Sequence, residues 1–116
     1  VVQHAHDPGL NIRVISLSYG TNSTQSPAVD PLSYAVEQAW KKGIVVVAAA
    51  GNTGYQHGNG APGVADPAYN AYVIGVGGSD SMGSASQKDD RVGAYSAGST
   101  GCVVLIALKG SAVVNW

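Results

Sequence analysis

A short apolar run that ends in Gly and Asn constrains this chain more than any other feature. Residues 44–49 read Ile-Val-Val-Val-Ala-Ala, and Gly51 and Asn52 follow after one more alanine, Ala50. An uninterrupted β-branched run bounded by glycine is typical of a strand buried on both faces of a parallel sheet. Ligands of open α/β sheets collect beyond the carboxyl ends of strands, so Asn52 stands where chemistry is expected.

A helix is predicted immediately before this strand, over residues 31–42. Asp30 is its expected N-cap and Pro31 its first residue. Apolar residues recur at helical spacing and predict one buried face, made of Leu32, Ala35, Val36, Ala39 and Trp40. Residues 12–18 predict an earlier strand, covered on both faces. Strand, helix and strand form a βαβ unit, whose two strands are expected to be parallel.

The remaining segments predict further strands and loops. Residues 72–77 indicate a third buried strand, residues 79–90 a polar loop and residues 91–96 a short edge strand. Asp66 and Asp80 lie near glycines and are interpreted as turn residues. The predicted fold is therefore α/β, a partial doubly wound parallel sheet. Half of such a sheet leaves an edge or face bare, so we expect self-association into a homodimer or larger assembly.

Composition limits the range of functions. The 116 residues suffice for one domain, and only 11% of them are charged, with a net charge of −1. This balance gives no electrostatic support for binding nucleic acid or an anionic membrane. No signal peptide or membrane-spanning run is visible. The single cysteine, Cys102, has no partner for an internal disulfide and is interpreted as a structural thiol.

Several segments occur in a familiar order. Residues 14–20 read Val-Ile-Ser-Leu-Ser-Tyr-Gly, and residues 43–54 contain Val-Val-Val-Ala-Ala-Ala-Gly-Asn. Pro67-Ala68-Tyr69 and residues 73–77 follow, and residues 91–96 continue the pattern more loosely. The order is similar to the central part of subtilisin-like serine peptidases, the subtilases, over about residues 1–98. The resemblance implies a parallel sheet with helices on both faces and a secreted hydrolase acting on peptides or small esters.

The resemblance also implies specific site residues. Asn52 matches the side chain that donates to the oxyanion, and two backbone segments match the walls of the main specificity pocket. These segments are Ser18, Tyr19, Gly20 and Ala49, Ala50, Gly51. An amide at a strand end can meet the negative oxygen of a tetrahedral intermediate, and one such donor is worth about 3 kcal/mol. No cofactor is expected for this chemistry.

The motifs that carry the family's catalytic triad are absent from these 116 residues. The chain contains no Asp-Ser/Thr-Gly, no His-Gly-Thr-His and no Gly-Thr-Ser-Met-Ala, and His57-Gly58 repeats only two letters of the second. The likeness fades near Gly101, which divides the chain into a core at residues 1–101 and a tail at residues 102–116, a possible hairpin or strand. We interpret the chain as a truncated peptidase fragment, and whether it is itself an enzyme stays open.

Two alternatives belong to other functional classes. His4, His6 and Asp7 are metal-ligand types within four residues, and His57 could join them from a loop. In an extended segment His4 and His6 share a face, so a divalent metal such as zinc could serve a small ester or phosphoester hydrolase. Solvated histidines on a surface helix are the simpler interpretation. The second alternative is a non-catalytic, self-associating module.

Overall fold

The computed structural model describes residues 1–23, 25–26, 28–54 and 63–98. A short 3-10 helix spans Val2–His4 and precedes the main elements. In chain order these are β1 (Val14–Leu17), α1 (Pro31–Lys41), β2 (Val45–Ala49), β3 (Val73–Val76), β4 (Ser79–Asp80) and β5 (Arg91–Val92). The predicted tail at residues 102–116 lies outside the described residues.

The first three strands form one parallel sheet with β2 in the centre. Leu17 of β1 pairs with Ala48, and Ala49 of β2 pairs with Val76 of β3. The carboxyl ends of all three strands therefore meet at one edge of the sheet. This arrangement confirms the predicted α/β fold with a parallel sheet and a crossover helix.

A second, two-stranded sheet follows. Ser79 pairs with Val92 and Asp80 with Arg91, both antiparallel. The start of the predicted loop at residues 79–90 is therefore a short strand, and only the first two residues of the segment at 91–96 are extended. The pairing partner is eleven or more residues away, which local alternation does not reveal.

Helix α1 begins and ends where local signals place it. The Asp30 carboxylate accepts from the backbone N–H groups of Leu32 and Ser33 at 2.9 and 3.0 Å, as an N-cap does. At the other end Gly43 has φ +76°, and its N–H donates to the carbonyl of Trp40 at 2.8 Å. A left-handed glycine is the usual helix terminator because it lacks Cβ.

The buried face of α1 differs in part from the prediction. Val36 and Ala39 are buried as expected, but Ala35 and Trp40 are exposed and Ser33 is completely buried. Ser33 is drawn into the interior by a hydrogen bond to Asp66, described below. The polar contact thus shifts the buried face toward the N-terminus of the helix.

The core lies between α1 and the central strand. Val36 and Ala39 pack with Ile44, Val46 and Ala5, all almost inaccessible to solvent. A second buried cluster lies nearer the carboxyl edge and contains Ala48, Ala50, Val64 and Ala68. The two clusters fix β2, from which Asn52 follows.

Strand β1 is not covered on both faces as predicted. Its residues alternate between exposed and half-buried, and Val14 is 56% exposed. The strand lies at an edge of the sheet, and within the described ranges α1 is the only α-helix. The second helix layer of a doubly wound sheet is therefore not seen in this part of the chain. Self-association stays a prediction.

None of the helices in the described ranges is long and apolar enough to cross a membrane.

Candidate active site

Three segments leave the sheet at the same edge. Ser18, Tyr19 and Gly20 follow β1, Ala50 to Asn52 follow β2, and Gly77 follows β3. The N–H of Ala50 donates to the carbonyl of Val76 at 2.8 Å, so strand pairing continues past the end of β2. This continuation holds the chain in place up to the residue before Gly51.

The backbone at Gly51 is anchored by its neighbours. The Ala50 carbonyl accepts from the N–H of Ala65 at 2.8 Å, and the Gly51 carbonyl accepts from the N–H of Ala97 at 2.9 Å. Gly51 has φ +103°, a region that L side chains rarely adopt. These two hydrogen bonds and the left-handed backbone at Gly51 therefore place Asn52 at the end of the central strand, with its side chain exposed to solvent.

A cavity of about 270 Å³ opens beside Asn52. It is lined by Gly20, Asn22, Gly51, Asn52, Thr53 and Ala65. The structure thus brings together three of the residues that the sequence singled out, namely Gly20, Gly51 and Asn52. Asn22, Thr53 and Ala65 were missed, and nothing local relates Asn22 or Ala65 to the strand ends.

The other pocket residues implied by the resemblance lie around this cavity without lining it. Ser18 and Tyr19 are exposed on the segment after β1, whereas Ala49 and Ala50 are buried at the end of β2. Ala49 also contributes to a smaller depression shared with Asn52, Gly78 and Tyr95. The roles of these residues in substrate binding stay predictions.

The turn that carries Ala65 and Asp66 forms the floor of the site. Asp66 joins this floor to α1. Thr21 and Asp66 exchange two backbone hydrogen bonds of 2.9 Å, which joins the segment after β1 to the turn that carries Ala65. The side chain of Asp66 is fully buried and its Oδ1 accepts from the Ser33 hydroxyl at 2.9 Å. Asp66 lies in a turn as interpreted, since the Ala68 N–H donates to the Ala65 carbonyl at 2.8 Å, and a long-range hydrogen bond from Ser33 also holds its carboxyl inside.

The predicted metal ligands are brought together only in part. The ring of His4 contacts Asp7 at 2.7 Å, from Nδ1 to Oδ2, and both side chains are exposed. His6 is exposed, and His57 lies outside the described residues. In the parts of the chain that the structure describes, no group of three or more His, Cys, Asp or Glu could hold a metal ion. The metal site stays a prediction.

Replacing Gly51 by alanine should destabilise the protein. An L residue at φ +103° costs about 1–3 kcal/mol, and the added Cβ would lie 3.4 Å from Cβ of Ala65. Thermal melting measures the change. Gly9→Ala is the matched control, because Gly9 has φ +86° with nothing within 4 Å of an added Cβ. Equal losses of melting temperature in both variants would contradict the tight packing of Gly51 against Ala65.

Two solved structures share the fold of this chain. The prenylagaramide maturation protease PagA superposes with a TM-score of 0.57 over 84% of this chain and 30% of that one, at 22% identity. A psychrophilic protease superposes with a TM-score of 0.59 over 82% of this chain and 27% of that one, at 23% identity. These superpositions confirm the α/β fold with its parallel sheet and helix.

Sequence comparisons show the family to which the chain belongs. Residues 2–114 match the profile of the Subtilase family, and the chain belongs to that family. It is 38% identical over 98 residues to the serine protease AprX of Bacillus subtilis (strain 168), which covers 82% of this chain and 21% of AprX. It is 39% identical over 110 residues to Thermitase of Thermoactinomyces vulgaris, which covers 95% of this chain and 32% of Thermitase.

These matches confirm the resemblance drawn from the sequence motifs. The chain spans about a fifth to a third of the length of these curated relatives. The family match extends to residue 114 and so includes residues beyond Gly101. The division of the chain at residue 101 stays a prediction.

Proposed function

We propose that this chain forms the substrate-binding edge of a subtilisin-like serine peptidase, with Asn52 as the side-chain donor to the oxyanion. The observation that carries the proposal is the position of Asn52. It is exposed at the end of the central strand and lines a cavity of about 270 Å³ together with Gly20 and Ala65. A preformed concave site with a convergent polar group is the usual form of a ligand site.

The chemistry of this edge is that of acyl transfer. An extended peptide would lie between the segment at Ser18 to Gly20 and the segment at Ala49 to Gly51. When a nucleophile adds to the scissile carbonyl carbon, the C=O π pair moves to oxygen, and that oxygen becomes negative. The side-chain N–H of Asn52 would donate to it, which stabilises the transition state more than the bound substrate.

The same proposal implies that the 116 residues do not cleave peptides by themselves. They contain none of the motifs that carry the family's acid, base and nucleophile. We therefore propose that these residues bind peptide without cleaving it, and that cleavage requires a triad that they do not supply. The interpretation of the chain as a truncated peptidase fragment likewise expects no peptide cleavage by the 116 residues alone.

The metal-assisted hydrolase is the alternative proposal. One observation favours it: His4 and Asp7, two ligand types, are already in contact at 2.7 Å. A metal bound there with His6 or His57 would lower the pKa of a coordinated water. No step of the peptidase proposal depends on this metal.

Turnover with and without a chelator separates the two proposals. Peptide, activated ester and phosphoester substrates are incubated with the 116-residue chain. They are also incubated with a longer protein that joins these residues to the family's triad motifs, called the full-length protein here. The peptidase proposal expects chelator-insensitive peptide turnover by the full-length protein, and peptide binding without turnover by the chain alone. Chelator-sensitive turnover that is lost in His4→Ala would instead support the metal site. Peptide turnover by the chain alone would contradict the absence of a triad.

Self-association is a further proposal, supported by the bare edges of the described sheet. β1 and β3 are its outer strands, and the exposed Val14 lies on β1. Unpaired strand edges are templates for pairing with another chain. We expect light scattering to give a dimer or larger for the 116-residue chain, and Val14→Lys to shift it toward monomer. Val29→Lys, at a residue 70% exposed outside the sheet, is the control. A monomeric parent chain would overturn the proposal.

A further inference from the structure

Two buried carboxyl groups are joined through Ser33 at the N-terminus of α1. Asp66 is 0% exposed and Asp30 is 4% exposed. Ser33 bonds to both: its backbone N–H donates to Oδ1 of Asp30 at 3.0 Å, and its hydroxyl donates to Oδ1 of Asp66 at 2.9 Å. One serine thus joins the helix cap to the turn beneath the candidate active site.

The hydrogen bonds are divided unequally between the two carboxyls. Asp30 accepts from the N–H groups of Leu32 and Ser33 and from the hydroxyl of Ser23, at 2.9 to 3.0 Å. Asp66 accepts from the Ser33 hydroxyl, and its Oδ2 is buried without a hydrogen-bond partner. A buried carboxylate oxygen without a hydrogen-bond partner destabilises the folded state unless a proton or a cation satisfies it.

No cationic side chain neutralises the pair in the described ranges, where the ion pair found is His4 with Asp7. The groups that act on Asp66 are Asp30 from the cap of α1 and Tyr69 from the following turn, together with the Ser33 hydroxyl. Two carboxylates held close together in a low dielectric do not both ionise readily. A single proton would remove one charge and occupy the unpartnered oxygen.

We propose that Asp30 and Asp66 share one proton, carried on Oδ2 of Asp66 and donated to the Asp30 carboxylate, and that this proton fixes the floor of the candidate active site. The proton comes from solvent, so the pair carries one negative charge. The bond it makes joins the cap of α1 to Asp66, whose backbone pairs with Thr21 in both directions. Asp66 is accordingly a positioning residue.

The electrostatics agree with this geometry. Burial raises the pKa of Asp66 and the charge of Asp30 raises it further, whereas hydrogen bonds from Ser33 and Tyr69 lower it. The hydrogen bond from the backbone of Ser33 lowers the pKa of Asp30, with help from Ser23 and Leu32. The two environments thus move the pKa values of the two carboxyls apart. The pair titrates in two steps, and each step belongs to both carboxyls.

Stability should follow the same titration. An acid whose native pKa is raised binds its proton more tightly in the native than in the unfolded state. Asp66 therefore makes stability fall as pH rises from the ordinary pKa of an aspartate through its raised native pKa, and adds no slope above it. Asp30, with a lowered native pKa, contributes stability that is lost as pH falls through that pKa.

The direct test follows the carboxyl carbons by NMR in the full-length protein labelled with ¹³Cγ-aspartate. We expect one carboxyl carbon to titrate at a higher pH than an ordinary aspartate, and this step to vanish in Asp66→Asn. Asp30→Asn should move the step to lower pH, because it removes a neighbouring negative charge. Ser33→Ala should move it to higher pH, because it removes the hydrogen bond that favours ionised Asp66. Asp80→Asn, at an exposed carboxylate of β4, should leave the step in place.

Several results would overturn the inference. Titration of all aspartates together in the ordinary acid range would exclude a shared proton, and so would a step that survives Asp66→Asn. If Ca²⁺ abolished the step and EDTA restored it, the pair would bind a cation in place of the proton. Should Asp66→Asn fail to fold, the opposite shifts expected of Asp30→Asn and Ser33→Ala still decide the question.

The effect on turnover rests on the proposed function, whereas the NMR step does not. If Asp66 positions the site, the pH profile of KM for a peptide should change over the range of the NMR step, and Asp66→Asn should remove that change. An NMR step without any effect on the KM profile would overturn the positioning role. A full-length protein that shows the NMR step but cleaves no peptide would refute the proposed function and leave the shared proton intact.

Discussion

Replacing Asn52 by alanine in the full-length protein is expected to lower kcat by about 10²–10³ and to leave KM nearly unchanged. The expectation rests on the proposed role of Asn52, in which its amide N–H would meet a full negative charge only after the nucleophile has added to the carbonyl. The substrate carbonyl before attack gains little from the same donor. The expected loss in kcat is the order of magnitude known for removing one oxyanion donor from subtilisin, a protein of this same family.

The position of Asn52 allows Asn52→Ala to test turnover separately from stability. The side chain is exposed at the end of β2, so its truncation removes no core contact, and the melting temperature should change little. Asn11→Ala is the matched control, since Asn11 is exposed and lies before β1, away from the cavity. An increase in KM at constant kcat would assign Asn52 to ground-state binding and contradict its role as oxyanion donor.

Replacing Ile44 by alanine is expected to destabilise the protein by about 2–5 kcal/mol. Ile44 is 1% exposed, precedes the central strand and packs in the cluster that joins α1 to the sheet. Its truncation loses the transfer free energy of three carbons and leaves a cavity that tight surroundings cannot fill. Chemical denaturation monitored by circular dichroism measures the change.

Val29→Ala provides the comparison for Ile44→Ala. Val29 is 70% exposed, so its truncation should change the free energy of unfolding by less than about 0.5 kcal/mol. A loss below about 1 kcal/mol in Ile44→Ala would contradict the tight packing of α1 against β2.

Local signals determined the main frame of this protein. The Asp30 cap, Pro31 and Gly43 fixed the ends of α1 within one residue, because capping depends on side chains next to the helix. The apolar run before Gly51 identified the central strand, and its carboxyl end located Asn52. The order of these segments also carried the family resemblance, which the matches with known proteins confirmed.

The tertiary structure decided what depends on residues far apart in the chain. Ser33 and Asp66 are 33 residues apart, so no periodicity could reveal that their hydrogen bond buries both. Ala65 reaches the cavity through its bond to Ala50, and β1 is open to solvent because of its place at the sheet edge. Local sequence thus specified elements and their ends, whereas burial, charge and the shape of the site arose from how distant segments pack.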